Sequence, residues 1–157
     1  MEAIVCISEN WGIGLDGQLL FHLSADMKRF RTLTLGKTVL LGSRTLATFP
    51  EGKPLPDRRC IVFTRSADAI EGAEVAHTVD EALALAGSDA IVIGGASIYT
   101  LLLPYCERVK VTKVFASPKA DSFFPNLDTH PDWRVDAKGE VMEENGLKFQ
   151  FIDYVKK

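Results

Sequence analysis

Ala90-Ile-Val-Ile93-Gly94-Gly95-Ala96-Ser97-Ile98-Tyr99-Thr-Leu-Leu-Leu103 reads as a strand that passes through a glycine pair into a helix. Residues 90–93 form an apolar, β-branched run, the pattern of a strand buried on both faces. Residues 98–103 are apolar at helical spacing, and Pro104 ends them. Two glycines at the junction allow a backbone to approach a ligand more closely than any side chain permits, as at phosphate-binding turns. A tight strand-to-helix turn asks for the same residues, and the stretch is not the GxGxxG fingerprint, so both meanings stay open here.

The same order recurs along the chain. Residues 3–7 and 38–41 are buried-strand runs, and the second leads into Gly42-Ser43-Arg44-Thr45, opening a short helix through Leu46 and Phe49. A third run, 60–63, follows a proline-rich loop and ends at Thr64-Arg65-Ser66. Val75-Ala76 makes a very short strand, and Thr78 opens a helix that runs through Leu85 to its stop at Gly87. Residues 109–115 alternate valines with Lys and Thr, as a strand with one polar face does. The tail supplies strands at 133–135, 140–142 and 149–155, the last two joined by Asn145-Gly146 as a hairpin. Strands alternate with helices first and dominate later. This predicts an α/β fold: a central, mostly parallel twisted sheet with an antiparallel C-terminal edge hairpin and helices on both faces, one domain over 1–157.

Composition narrows the function classes. With 157 residues, 46% apolar and 25% charged, the chain can bury a sizeable core without disulfides. A net charge of −3 and no basic run point away from nucleic acid. No apolar segment approaches a membrane span, and the N-terminal run is too short and lacks the basic leader of a signal peptide. Cys6, Cys60 and Cys106 are odd in number and sit in apolar runs, which predicts buried free thiols in a reducing cytoplasm. The scattered His22, His77 and His130 predict no metal site.

Residues 10–31 carry the chemistry. A loop punctuated by Gly12, Gly14 and Gly17 continues through Leu19, Leu20, Phe21 and Leu23, too apolar to lie free in solvent, and then enters a helix near Ser24. Such a loop predicts a lid. Asp26 stands beside Met27 and four positions before Phe30, so its carboxylate borders the apolar helix face while Lys28, Arg29 and Arg31 take the wet side. An acid in a first helical turn, with Ser24 as N-cap, has an ordinary structural explanation. Under an apolar lid it can also bind a cationic or amidine-like group.

Gly-Ser-Arg-Thr, Thr-Arg-Ser and Gly-Gly-Ala-Ser end three strands of a parallel sheet, and ligands bind at such ends. Three phosphate-competent ends suggest a dinucleotide, and Arg44 with Arg65 suggests one phosphate more, favouring NADPH over NADH. No candidate nucleophile is paired with a histidine. A buried carboxylate beside a dinucleotide fits hydride transfer assisted by protonation.

These residues resemble the dihydrofolate reductase family over essentially the full chain. The resemblance rests on Gly12-Ile13-Gly14, Ala25-Asp26-Met27 with Phe30, Gly42 with Thr45, and Pro54-Leu55-Pro56 with Arg58. It continues in Thr64-Arg65, Ile93-Gly94-Gly95 with Tyr99, Thr112, and Phe124-Pro125. It implies NADPH-dependent reduction of dihydrofolate, and since no extended exposed apolar stripe asks for a partner, a monomer is expected. Asp26 would grip a ring nitrogen and the exocyclic amine of the pterin, braced by Thr112, with its pKa raised by burial and the proton arriving through water. Ile4, Val5, Met27, Phe30, Phe49, Ile93 and Tyr99 would enclose the pterin and benzoyl groups, and Arg58 would pair with the glutamate carboxylate. Cys6, Ile13 and Leu19 would face the nicotinamide, with Phe21 beside the reacting atoms. Gly14, Gly42, Ser43, Arg44, Thr45, Ala96 and Ser97 would line the cofactor, Thr64-Arg65 would meet its 2′-phosphate, and Gly94-Gly95 would form a cis pair.

Four positions depart from the family pattern. Leu20-Phe21 stands where Pro-Trp is usual, so no indole N–H orders an active-site water. Ser24 replaces a proline, and Ser43 replaces a basic residue, leaving more of the phosphate grip to Arg44 and Arg65. Two other functions fit the same fold: reduction of a ribosylamino-pyrimidine of riboflavin synthesis, and nucleotide binding without turnover. Asp26 on the first helix together with Arg58 favours folate over the former.

Overall fold

The apolar runs form the strands of one sheet, and the glycine-marked junctions at Gly42 and at Gly94-Gly95 turn two of them directly into helices. The computed structural model describes residues 1–66 and 69–157. In chain order the elements are β1 (Glu2–Ile7), β2 (Gly12–Leu15), β3 (Gln18–Leu19), α1 (Ser24–Thr34), β4 (Thr38–Gly42), α2 (Ser43–Ala47), β5 (Arg59–Phe63) and β6 (Glu74–Ala76). There follow α3 (Val79–Ala86), β7 (Ile91–Gly94), α4 (Ala96–Leu102), β8 (Arg108–Val114), β9 (Ser122–Phe123), β10 (Trp133–Lys138), β11 (Met142–Glu144) and β12 (Leu147–Lys156).

The large sheet runs in the order β10-β12-β8-β1-β7-β4-β5-β6, with β11 paired to β12. From β8 to β6 every pairing is parallel, while β12 is antiparallel to β8, β10 and β11. The predicted hairpin is β11–β12, closed by Asn145 and Gly146 at φ 52° and 82°, the backbone that a two-residue hairpin turn requires.

Alternation sorts the strands' side chains to two faces. Leu40, Ile61, Val92, Val5 and Ile7 pack with Ala82 and Ala86 of α3 and with Ile98 and Leu102 of α4. Val39, Leu41, Cys60 and Val62 pack with Leu46 of α2 on the opposite face. Along the same face, Cys6, Leu23, Ala25, Val114 and Phe149 gather beneath the start of α1. Helices thus cover both faces, and the three cysteines are free thiols.

Three local features differ from the sequence expectation. Residues 12–19 are a small hairpin of β2 and β3, extended by β9, rather than open loop. Asp16-Gly17, at φ 52° and 78°, is the hairpin signal. Ser24 is not the N-cap of α1: Leu23 holds that position, and the Glu144 carboxylate accepts hydrogen bonds from the Ser24 and Ala25 amides at 2.7 and 3.1 Å. Helix α4 begins at Ala96, two residues before the apolar run that predicted it, and Pro104 lies inside a following 3-10 turn, Leu103–Tyr105.

Candidate active site

Adjacent, parallel β7, β4 and β5 bring their C-terminal ends to one sheet edge, so Gly94-Gly95, Gly42-Ser43 and the residues after Phe63 are neighbours. The Gly94–Gly95 peptide is cis, with Gly94 at φ 137°. A Cβ on Gly95 would stand 3.2 Å from Thr45 Oγ1, and one on Gly42 would stand 2.9 Å from Ile98 Cγ1. The glycines therefore let β7 and α4 close on β4 and α2. Gly42 and Gly95 are also the N-caps of α2 and α4, and neither helix start has a side-chain cap. Ser43, Arg44, Arg65 and Ser97 are exposed along this edge, whereas Thr64 is buried and its carbonyl oxygen lies 2.9 Å from His77 Nδ1.

On the other side of β7, the opposed positions Cys6 of β1 and Thr112 of β8 share the face on which α1 lies. Thr112 Oγ1 donates to Asp26 Oδ1 at 2.6 Å, and burial pushes this carboxyl above the usual range for aspartate. The Thr112 hydroxyl, the Arg29 guanidinium and the Cys6 thiol pull in the opposite direction without cancelling burial. The Cys6 thiol is itself pushed upward by burial and by the Asp26 charge, so it stays protonated and serves as a donor. A narrow cavity of about 70 Å³ lies over the carboxyl, lined by Cys6, Ile13, Leu19, Leu20, Phe21, His22, Asp26 and Met27. Leu19 and Met27 are 67% and 61% exposed at its rim, an apolar surface that a flat ring can cover.

The lid is tied to the strand opposite. Asp121 accepts from the Asp16 amide at 3.0 Å and donates its own amide to the Gly14 carbonyl at 3.0 Å, while Gly12 N donates to Ser8 Oγ at 2.9 Å. The β2 segment of the lid is therefore fastened, and Ile13 and Leu19 line the cavity with Asp26.

Known proteins match this chain from end to end. The family model described as dihydrofolate reductase matches residues 1–156. The chain belongs to the dihydrofolate reductase family. The dihydrofolate reductase of Neisseria meningitidis serogroup B is 37% identical over 158 residues, covering 98% of this chain and 96% of that protein. That of Bacillus subtilis is 32% identical over 159 residues, covering 98% and 93%. A solved structure, dihydrofolate reductase from Enterococcus faecalis complexed with NADP(H) and RAB-propyl, superposes with a TM-score of 0.84 at 34% identity, covering 99% of this chain and 95% of that one. As a family member, the chain is an NADPH-dependent oxidoreductase.

Dihydrofolate reductases need a dinucleotide cradle and a folate cleft, and the residues here fit both. The glycines serve the close packing of β7 and α4 on β4 and α2, and the starts of α2 and α4, which lack side-chain caps, together with the exposed Arg44 and Arg65, suit an extended polyanion. Asp26, Cys6, Ile13, Leu19, Phe21 and Met27, all expected at the site, line one cavity. Phe49 and Ile93 meet in the apolar cluster that also holds Leu55. Arg58 Nε donates to Thr34 Oγ1 at 2.9 Å and its Nη1 to the Pro56 carbonyl at 2.8 Å, which fixes the guanidinium at the far end of α1. Ile4 and Val5 are buried in β1 and Phe30 is half-buried on α1. Tyr99 is the partial exception. Its ring packs edge-on against Phe124 in the α4-side core, and only its hydroxyl reaches across, donating to the Ile4 carbonyl at 2.6 Å.

Sequence reasoning missed two contributors. His22 lines the cavity, and its signal was its place within the apolar lid. Glu144 holds the start of the Asp26 helix from 120 residues away, and no local pattern marks such a contact.

Proposed function

We propose that this chain reduces 7,8-dihydrofolate to 5,6,7,8-tetrahydrofolate. The observation that carries the reading is the largely buried Asp26 carboxyl, bonded to Thr112 beneath an apolar lid, on the sheet whose neighbouring strands β7, β4 and β5 end side by side at Gly94-Gly95, Gly42 and Thr64-Arg65. A carboxylate in that setting receives two parallel N–H donors, a ring nitrogen and an exocyclic amine, in the fork geometry that carboxylates bind well. NADPH, when bound, supplies the hydride. The chain's own part is to orient the pterin, exclude bulk water with Ile13, Leu19 and Phe21, and favour a proton on the ring nitrogen beside the reacting carbon. The raised pKa of Asp26 keeps that proton accessible nearer to neutrality than an exposed aspartate could.

Met27, Phe30, Phe49 and Ile93 form the apolar wall for the pterin and benzoyl groups, with Ile4 and Val5 behind it and the Tyr99 hydroxyl at its edge. Arg58 meets the glutamate carboxylate, held ready by Thr34 and Pro56. Ser43, Arg44, Thr45, Ala96 and Ser97 hold the cofactor's bridging phosphates, Cys6 and Gly14 border its ring, and Thr64 with Arg65 takes the 2′-phosphate. Phe21 cannot donate a hydrogen bond, so the proton's water is ordered by the carboxyl and its Thr112 partner. The protein acts as a cytoplasmic monomer on small molecules.

Incubation with NADPH and dihydrofolate, followed by mass analysis, is expected to yield tetrahydrofolate. A ribosylamino-pyrimidine, offered in parallel, is expected to remain unreduced. Reduction of the pyrimidine alone would overturn the assignment, and cofactor binding without consumption of either substrate would make the chain a nucleotide-binding module.

A further inference from the structure

Arg29, expected on the wet side of α1 with Lys28 and Arg31, is instead drawn inward by the Phe151 ring: it lies one turn after Asp26, at the i+3 position that shares its helix face. Its guanidinium carbon sits 4.1 Å from the centroid of the Phe151 ring, and its Nη2 is 3.5 Å from Asp153 Oδ1. Its Nη1 is buried and, among the described residues, has no hydrogen-bond partner. Long charged side chains usually keep their heads in water. A buried, incompletely paired guanidinium in this position therefore calls for an explanation beyond packing.

Asp153 does not neutralise Arg29 by itself. Its Oδ2 lies 3.9 Å from Arg108, and Lys110 stands directly opposite it in the β8–β12 ladder. Arg108 in turn meets Glu2 at 3.7 Å and Asp136 at 3.1 Å. Asp153 is shared among cations, leaving positive charge at Arg29. That charge is close to the site, because Phe151 is the ladder partner of Thr112, whose hydroxyl donates to Asp26.

We propose that Arg29 is a positioning residue for Asp26: its guanidinium, clamped between Phe151 and Asp153 one helical turn from the carboxylate, is a fixed counter-charge that sets the pH range in which the site holds its proton. The inference rests on the assignment of Asp26 as the substrate-binding acid. Around that carboxyl, β8 contributes Thr112, β1 contributes Cys6, α4 contributes the Tyr99 hydroxyl, the lid contributes His22, and Glu144 sits on the first amides of α1. Cys6 and Tyr99 stay neutral, both pushed upward by burial, and Arg29, unlike the exposed Lys28 and Arg31 of the same helix, supplies positive charge on the face that Asp26 occupies. The direction follows. Burial lifts the carboxyl, and Arg29 limits the rise.

The test titrates Asp26 by carbon-13 carboxyl NMR in the ligand-free full chain, assigned with Asp26→Asn, alongside the pH profile of kcat/KM for dihydrofolate. Arg29→Met is expected to move both midpoints upward by about one pH unit, as loss of a nearby opposite charge does. Arg29→Lys is expected to restore most of the shift, and Asp153→Asn, which leaves Arg29 less neutralised, to move the midpoint downward. Mere loosening of the fold would hydrate the carboxyl and lower the Arg29→Met midpoint, so the upward sign separates a charge effect from a structural one. An unchanged or lowered midpoint in Arg29→Met overturns the proposal. Should that variant fail to fold, an unchanged or raised midpoint in Asp153→Asn does so. A wild type whose Asp26 titrates as expected but reduces no dihydrofolate defeats the folate reading and leaves the Arg29–Asp26 coupling standing.

Discussion

At Asp26, stability and function pull in opposite directions. Burial raises this carboxyl's pKa, so the folded chain binds its proton more tightly than the unfolded chain does. The stabilising contribution is complete below the ordinary aspartate range and is lost as pH rises through the raised folded-state value. Asp26→Asn, which never ionises, is therefore expected to melt above the wild type at pH 8 and close to it at pH 4, measured by calorimetry. Arg65 offers a second residue-scale test. Exposed beside buried Thr64, it is assigned to the phosphate that distinguishes NADPH from NADH. A charged hydrogen bond is worth about 1.5–3 kcal/mol, so Arg65→Ala is expected to weaken NADPH binding by roughly tenfold or more while NADH changes little. Equal loss for both cofactors, read by fluorescence titration, would move the 2′-phosphate elsewhere.

Helix α1 is anchored at both ends by residues outside it. Glu144 takes the Ser24 and Ala25 amides, and Arg58 is bonded to Thr34, which donates back to the Phe30 carbonyl at 2.7 Å. The helix that carries Asp26 is thus held by the β11–β12 hairpin on one side and by the loop before β5 on the other. Glu144→Ala is expected to speed hydrogen exchange at Ser24 and Ala25 and to lower dihydrofolate affinity, with NADPH affinity unchanged, because the cofactor edge lies on other elements. The helix and its acid were legible in the sequence because a helix-opening signal followed an apolar lid. The cap was misassigned to Ser24 because residue preference at a helix start says nothing about a carboxylate arriving from a distant hairpin. The hairpin within the lid is marked by Asp16-Gly17, but a glycine-punctuated apolar stretch reads as loop when its strand partner β9 lies about a hundred residues away.

Over the whole molecule, the parallel order of β7, β4 and β5 turns three separate sequence signals into one surface, because neighbouring parallel strands end on the same side. Periodicity makes this legible: β-branched runs mark buried strands, and the glycine or hydroxyl residues after β4, β5 and β7 mark where each strand ends. Contacts that join remote segments, such as Arg29 with Asp153 and Tyr99 with the Ile4 carbonyl, depend on register and were not legible. Ile61 is fully buried between β4 and β6 in the core beneath α3 and α4, so Ile61→Ala is expected to cost about 2–5 kcal/mol in urea unfolding. Saturating NADPH is expected to raise the midpoint of wild type and variant alike. The most direct measurement of the account is the loss of NADPH absorbance on adding dihydrofolate, with wild type and Asp26→Asn side by side. Rapid, substrate-dependent loss in the wild type and a severe fall at neutral pH in Asp26→Asn, with NADPH still bound, is the predicted result. Equal turnover in the two proteins would contradict it, since the buried carboxyl would then have no part in the reaction.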